Sequence, residues 1–244
     1  MKRLLMTLIV GLIFFVSNAD AVLVGYWDFN EGLGNIANDG SGNGNQATGL
    51  DSGWVSGKYG YATTSDNIIV QPSPSLLTSS SLTIMSWAKI EEFNGLQRRI
   101  VEMSPNYGFL FNPPNNLSQT AFFLSLNINP QENFPFAYQD IPQNEWFHTA
   151  VTWDGNVAQY YLNGVAAAPV AAQTTINQNG NVPLYMGAPG YTLDEVRIYN
   201  SALSRDEILR DMNLDSTNPV VPEPATMLLL GTGLVGVFLR KRRT

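Results

Sequence analysis

The chain has 244 residues, of which 44% are apolar and 14% charged, with no cysteine and one histidine. Disulfides, zinc thiolate centres, thiol nucleophiles and multi-histidine metal centres are therefore excluded. Six of the thirteen basic residues crowd the two ends, leaving seven basic against eighteen acidic residues between Val22 and Val220, a surface that repels phosphate backbones and excludes nucleic acid as an expected partner.

Met1–Ala21 carries Lys2-Arg3, an apolar run Leu4–Val16 and small residues at the end. That is the order of a secretory signal peptide. Ala19 and Ala21 fit a cut before Val22, with a cut after Ala19 as the competitor. The run is too short for a bilayer-spanning helix, so export through the inner membrane is expected.

Val22–Phe29 (VLVGYWDF) reads as the first strand. The Gly/Asn-rich loop that follows, within 35–49, offers many positive-φ positions. Asp39, Asn43 and Asn45 bring oxygen ligands to it, although the spacing and closing Glu of an EF-hand are absent. Strands are predicted at Asn67–Val70, Ser81–Ile90, Arg99–Glu102, Tyr107–Phe111 and Ala121–Ile128, with a turn-rich connector over Asn129–Gln143. Trp146–Trp153 and Asn156–Leu162 follow, punctuated by Asp154-Gly155 and Asn163-Gly164, dipeptides suited to type I′ turns. Val182–Met186 and Thr192–Tyr199 complete the strands. Ser204 followed by Glu207 is a capping-box signature, so a short helix is predicted over Ser204–Met212. The fold class is all-β: two antiparallel sheets packed face to face as a sandwich, with that helix at the end.

Beyond the polar linker 213–220, Val221-Pro222-Glu223-Pro224 precedes an uncharged run Ala225–Leu239 and the basic cluster Arg240–Arg243. The physics is that of a C-terminal transmembrane-type helix with its basic flank held on the cytoplasmic side. The segment 221–244 resembles the PEP-CTERM sorting signal of Gram-negative bacteria. The resemblance implies that an exosortase, a membrane protease, recognises Pro222, Glu223 and Pro224. It also implies a protein transiently anchored in the membrane and then placed at the cell surface or outside, often with exopolysaccharide and biofilm matrix.

Three further segments are similar to the laminin-G-like, concanavalin A-like jelly-roll family. They are Tyr26–Glu31 with the loop Asp39–Gly44, Trp146–Val151 with Tyr161–Gly164, and Asp194–Tyr199 running into Ala202–Ser204 and Glu207-Ile208. The domain they imply covers 22–212. Members bind glycans or proteins, accompany enzymes, or have no known ligand. Many relatives hold calcium near the sandwich rim, which makes Asp39, Asn43 and Asp194 the metal candidates here; Asp194 could instead pair with Arg197 or cap a turn.

Catalysis is not expected. His148 lies in a strand beside Trp146 and Ala150, with no nucleophile and orienting carboxylate indicated. Glycoside hydrolysis needs two carboxylates across one bond, but Glu91-Glu92 and Asp194-Glu195 are adjacent and point to opposite faces of a regular strand. Asp206-Glu207 belongs to the helix start. Sugar binding needs no reactive group. Tyr107, Phe134, Phe136 and Tyr138, with Asn and Gln nearby, are the candidate stacking residues, whereas Trp27, Trp87, Trp146 and Trp153 are expected in the core. The favoured reading is an exported, non-catalytic carbohydrate-binding or adhesion module. The alternatives are a matrix protein without a ligand and a hydrolase or lyase with an unrecognised site.

Overall fold

A computed structural model describes residues 21–215 and 217, apart from 52, 79, 93–97, 113–120, 127–131, 136–140 and 142, and gives only the backbone at 112, 121 and 132–135. In chain order the first strands are β1 (Leu23–Trp27), β2 (Ile36–Ala37), β3 (Ala47–Thr48), β4 (Trp54–Ser56), β5 (Tyr61–Thr63), β6 (Ile68–Val70), β7 (Leu82–Ile90), β8 (Arg98–Met103) and β9 (Tyr107–Asn112). They continue as β10 (Ala121–Leu126), β11 (Glu132–Pro135), β12 (Trp146–Trp153), β13 (Val157–Leu162), β14 (Val165–Ala166), β15 (Val170–Ala171), β16 (Leu184–Met186) and β17 (Tyr191–Tyr199), and the last element among the described residues is helix α1 (Arg205–Met212).

Every strand pairing is antiparallel, and the strands form two sheets. One has nine strands with the path β14-β13-β12-β7-β17-β5-β4, to which β1 and β15 attach; the other has eight, ordered β11-β10-β9-β8-β16-β6-β3-β2. The core between them follows from period-two alternation. Phe147, Val151 and Trp153 of β12 face it, as do Tyr107, Phe109 and Phe111 of β9 and Phe122, Leu124 and Leu126 of β10. The expected two-sheet sandwich is the fold.

α1 lies on the outer face of the nine-stranded sheet. Leu203 and Ile208 are buried there against Met85, Ala150, Tyr161 and Tyr199. Burying two such side chains contributes about 1.5–3 kcal/mol each, which an eight-residue helix needs because it is not stable alone. The capping box is present: the Ser204 hydroxyl accepts the N–H of Glu207, and the Glu207 carboxylate accepts the N–H of Ser204.

Several local expectations are corrected. At Asn163-Gly164 both φ angles are positive, 49° and 74°, as a type I′ turn requires. Asp154 keeps a negative φ and only Gly155, at 97°, crosses over. Instead the Asp154 carboxylate accepts the N–H groups of Asn156 and Val157 at 2.9 and 2.8 Å, a side-chain-capped turn that needs no second left-handed residue. The connector 129–143 contains a strand, β11, paired with β10 at the sheet edge, where Pro135 breaks no ladder on its free side. Trp27 and Trp153 fill the central core. Trp87 is buried on the opposite, helix-covered face, and Trp146 is half-buried with Lys89 Nζ 5.5 Å from its ring. Among the described residues no helix is long and apolar enough to cross a membrane; the run Ala225–Leu239 lies outside them.

Candidate functional site

The calcium candidates come first. The Gly/Asn-rich loop folds back on β1 and is held there by Asp39. Its carboxylate accepts the N–H of Tyr26 at 3.0 Å, the N–H and hydroxyl of Ser41 at 2.9 and 2.8 Å, and the N–H of Asn45 at 2.9 Å. Asn45 in turn donates to the Val24 carbonyl at 2.7 Å and accepts the Trp27 indole N–H on its own carbonyl at 2.8 Å. Asn43 donates to the Leu23 carbonyl and to the Ser41 hydroxyl. The loop is a brace for β1, and its oxygens are already turned toward N–H donors.

Asp194 is fully buried in β17, where one carboxylate oxygen accepts the N–H groups of Lys58 and Tyr59 at 2.8 and 3.1 Å. It caps the β4–β5 turn and does not pair with Arg197. No group of three His, Cys, Asp or Glu side chains among the described residues could hold a metal ion. Calcium takes six to eight converging oxygens; the Asp39 oxygens are taken up by N–H and O–H donors, and Asp194 keeps one buried oxygen without a partner but has no cluster of further carboxylates around it among the described residues.

The DEVRIY segment explains itself differently from the expectation of alternating faces. Glu195 has φ 54° and sits in a bulge, so that Asp194 pairs with Trp87 while Arg197 pairs with Met85. Two residues oppose one, and the face inverts. Leu193, Val196 and Ile198 point to the central core, and both Asp194 and Glu195 point outward beneath α1. There Glu195 bonds Arg197 at 2.5 Å and accepts the Tyr26 hydroxyl at 2.8 Å. The Arg197 guanidinium lies 4.3 Å from the Tyr26 ring centroid. Tyr199 donates to Asp211 of α1 at 2.5 Å. This is a buried electrostatic clasp joining β1, β17 and α1, and each member is engaged.

His148 is buried on the same face, with its ring edge-on to Trp87 at 5.4 Å. Neither ring nitrogen has a hydrogen-bond partner. Burial first, and the Arg197 charge second, push its pKa down to about 3, so it is a neutral packing residue.

The aromatic candidates divide. Tyr107 is fully buried in β9, its hydroxyl donating to the Leu76 carbonyl at 2.9 Å; the inward phase of the strand makes it core, and it meets no ligand. Phe134 has its backbone in β11 opposite Leu124. Phe136 and Tyr138 lie outside the described residues.

What the structure does assemble is the outer face of the eight-stranded sheet. The register aligns Ile36, Thr48, Ile69, Tyr185, Glu102, Gly108 and Ser125 in one row across the strands, and Arg99, Leu110 and Phe123 in the next. A regular strand would send Arg99 and Glu102 to opposite faces. A register shift between Arg99 and Val101 puts Ile100 and Val101 both into the core and brings the two charges together, 3.7 Å apart. Arg99 is fixed by its Nε bond to the Gly187 carbonyl at 3.1 Å and a second bond to the Asp66 carbonyl at 3.3 Å. Its guanidinium lies 5.4 Å from the Tyr185 ring centroid, and its own carbonyl accepts the buried Tyr191 hydroxyl. A depression of about 310 Å³ opens here, lined by Arg99, Glu102, Leu110, Ala188 and Pro189. It offers a pre-positioned acceptor, a cation and an apolar floor, the combination that orients a small polar ligand. None of these residues was a sequence candidate. The signal that could have found them is the break in alternation at Arg-Arg-Ile-Val.

Solved structures share the architecture. Domain 4 of AbnA, an extracellular arabinanase of Geobacillus stearothermophilus solved with arabinotriose, matches with TM-score 0.60 and 21% identity over 78% of this chain and 98% of that one. The binding domain of Paraclostridial Mosquitocidal Protein 1 matches with TM-score 0.61 and 19% identity, over 78% of this chain and 52% of that one. The ligand-binding domain of botulinum neurotoxin serotype D, solved with N-acetylneuraminic acid, matches with TM-score 0.59 and 12% identity, over 78% of this chain and 50% of that one. At these identities the likeness is one of fold, and the chain spans about half of each toxin domain. No curated protein matches. The PEP-CTERM protein-sorting motif matches residues 220–243, which makes this an exported protein with a C-terminal sorting signal. The family profile covers 56–209, from the β4 end through the bulged DEVRIY strand to α1, and with the sandwich that those elements build, the chain belongs to the concanavalin A-like lectin/glucanases superfamily.

Proposed function

We propose that the protein is an exported, non-catalytic carbohydrate-binding module that uses the outer face of the eight-stranded sheet. The observation that carries this reading is the depression in which Arg99, held by two backbone carbonyls, stands beside Glu102 over Leu110, Ala188 and Pro189. A carboxylate and a guanidinium held in place accept and donate to sugar hydroxyls, and the apolar floor takes the C–H face of a ring. One carboxylate lines this depression, whereas glycoside hydrolysis uses two; that supports binding without turnover. Structures of the same fold solved with arabinotriose and with N-acetylneuraminic acid support a glycan as the ligand. The leader 1–21 would be removed on export, and an exosortase-type protease would act at Pro222-Glu223-Pro224.

The test is affinity electrophoresis against soluble polysaccharides, followed by titration with oligosaccharides, arabinotriose included. At least one glycan is expected to retard the wild-type protein. Glu102→Gln and Arg99→Met should each weaken that binding about tenfold, the loss of one charge-assisted hydrogen bond. Retardation that both variants retain in full would move the site elsewhere. No retardation by any glycan would favour a matrix protein without a ligand, and product release from a polysaccharide that follows the pure protein would restore the hydrolase reading.

A further inference from the structure

The last described residue, Thr217, lies against the β4–β5 turn: a β-carbon placed on Gly60 would come within 2.9 Å of its Cγ2. The Tyr59 hydroxyl reaches the Met212 carbonyl at 3.5 Å on the same side. The loop 30–35 belongs to this edge as well. Asn30 accepts the N–H of Tyr61 at 2.8 Å, the Trp54 indole donates to the Gly34 carbonyl at 2.7 Å, and a β-carbon on Gly32 would lie 2.8 Å from the Tyr61 ring. Leu33 is 76% exposed here, Ile36 51% and Tyr61 50%. They are three of the six large apolar side chains that stand exposed among the described residues. The last described residue thus lies beside an edge that carries three of these six side chains.

Seven residues, 218–224, separate Thr217 from the uncharged run that starts at Ala225. Fully stretched they reach at most about 25 Å, whereas a compact domain of this size is about 40 Å across. A domain tethered that closely to a bilayer keeps its exit edge toward the lipid and cannot present the opposite one.

We infer that the edge formed by Leu33, Ile36 and Tyr61 is a lipid-facing surface, seated in the bilayer interface while the C-terminal apolar run holds the chain. The inference rests on the reading of Ala225–Leu239 as membrane-seated. A leucine with a tyrosine, apolar in body and polar at its tip, suits that interface. Among the described residues Asp28, Glu31 and Asp215 stand here against Lys58, whose ammonium already lies 4.3 Å from the Trp87 ring centroid. Among the described residues no basic patch draws this edge to anionic headgroups, so the contact is apolar and indifferent to lipid charge.

The absence of cysteine allows single labels. The full chain carrying Leu33→Cys, or Val165→Cys as the control, is coupled to an environment-sensitive fluorophore and reconstituted into phosphatidylcholine vesicles. Val165 is 61% exposed and sits in β14, at the other end of the nine-stranded sheet from β4. The label at 33 is expected to shift to the blue and to show a several-fold smaller iodide quenching constant than the label at 165, unchanged when phosphatidylglycerol replaces part of the lipid. A chain that co-sediments with the vesicles while iodide quenches both labels equally overturns this inference alone. A chain that does not co-sediment overturns the membrane-seated reading of the tail, and this inference with it.

Discussion

Asp194 has its carboxylate out of contact with water, and burial pushes its pKa up to about 8, against the pull of the N–H bonds from Tyr59 and Lys58. An unfolded aspartate ionises near 3.9. From about pH 4 to pH 8 the unfolded chain has lost this proton and the folded one retains it, so the stability Asp194 contributes is complete below pH 4 and fades as pH rises through 8. Asp194→Asn keeps an oxygen for Lys58 and Tyr59 and removes the titration. Urea unfolding at pH 5 and pH 8 should show the wild type losing about 3 kcal/mol relative to that variant across the interval. His148 has the opposite sign. With a folded pKa of about 3 and an unfolded one near 6.5, it destabilises the fold as pH falls through 6.5 toward 3. His148→Phe keeps a ring against Trp87 and orphans no donor, because neither imidazole nitrogen is bonded; it should remove about 2 kcal/mol of the stability lost between pH 7.5 and pH 5 in the same assay. His148 was readable as a packed residue from its strand partners. Tyr107 was not, because an aromatic beside a turn looks the same in sequence whether its strand starts on the inward or the outward phase.

Elements were legible where a local rule applied without interruption. The α1 start is one such place, since Ser204 and Glu207 satisfy each other across a single turn. Ser204→Ala should cost about 1 kcal/mol and be visible as a lowered urea midpoint with an unchanged slope. At β8 and β17 counting by twos along the strand failed for one reason: an extra residue inverts the face without any Gly or Pro to announce it. At β17 the interruption turned an expected opposed pair, Asp194 and Glu195, into neighbours under the helix. At β8 it set Arg99 beside Glu102 and made the depression that alternation would have forbidden. The candidate site was therefore hidden for the same physical reason that it exists. The Asp39 carboxylate is a different case: it meets backbone donors that only the fold brings to it.

Over the whole molecule, the family match spans 56–209, yet the folded unit starts earlier. β1 pairs with β17, and Val24, Trp27, Phe29, Ala37, Ala47 and Leu50 are all part of the central core. Removing Trp27 and Phe29 alone forfeits about 6–10 kcal/mol, comparable with the entire stability of a domain. A chain begun at residue 56 is expected to be digested rapidly by a nonspecific protease and to lack near-ultraviolet dichroism, whereas one spanning 22–217 should resist digestion. The two-sheet architecture was legible from composition, turn spacing and the quoted segments together, because a jelly roll is specified by many short patterns at once.

The helix laid over the outer side of the nine-stranded sheet has a bearing on polymers. With Met85, Ala150, Tyr161 and Tyr199 sealed beneath Leu203 and Ile208, that side offers no platform, and the proposed depression is on the other sheet. Under that proposal a single copy grips one strand of a long saccharide through one depression among the described residues. If the proposed depression is the binding site, added protein should coat dissolved polysaccharide without raising its viscosity, unless two copies are joined.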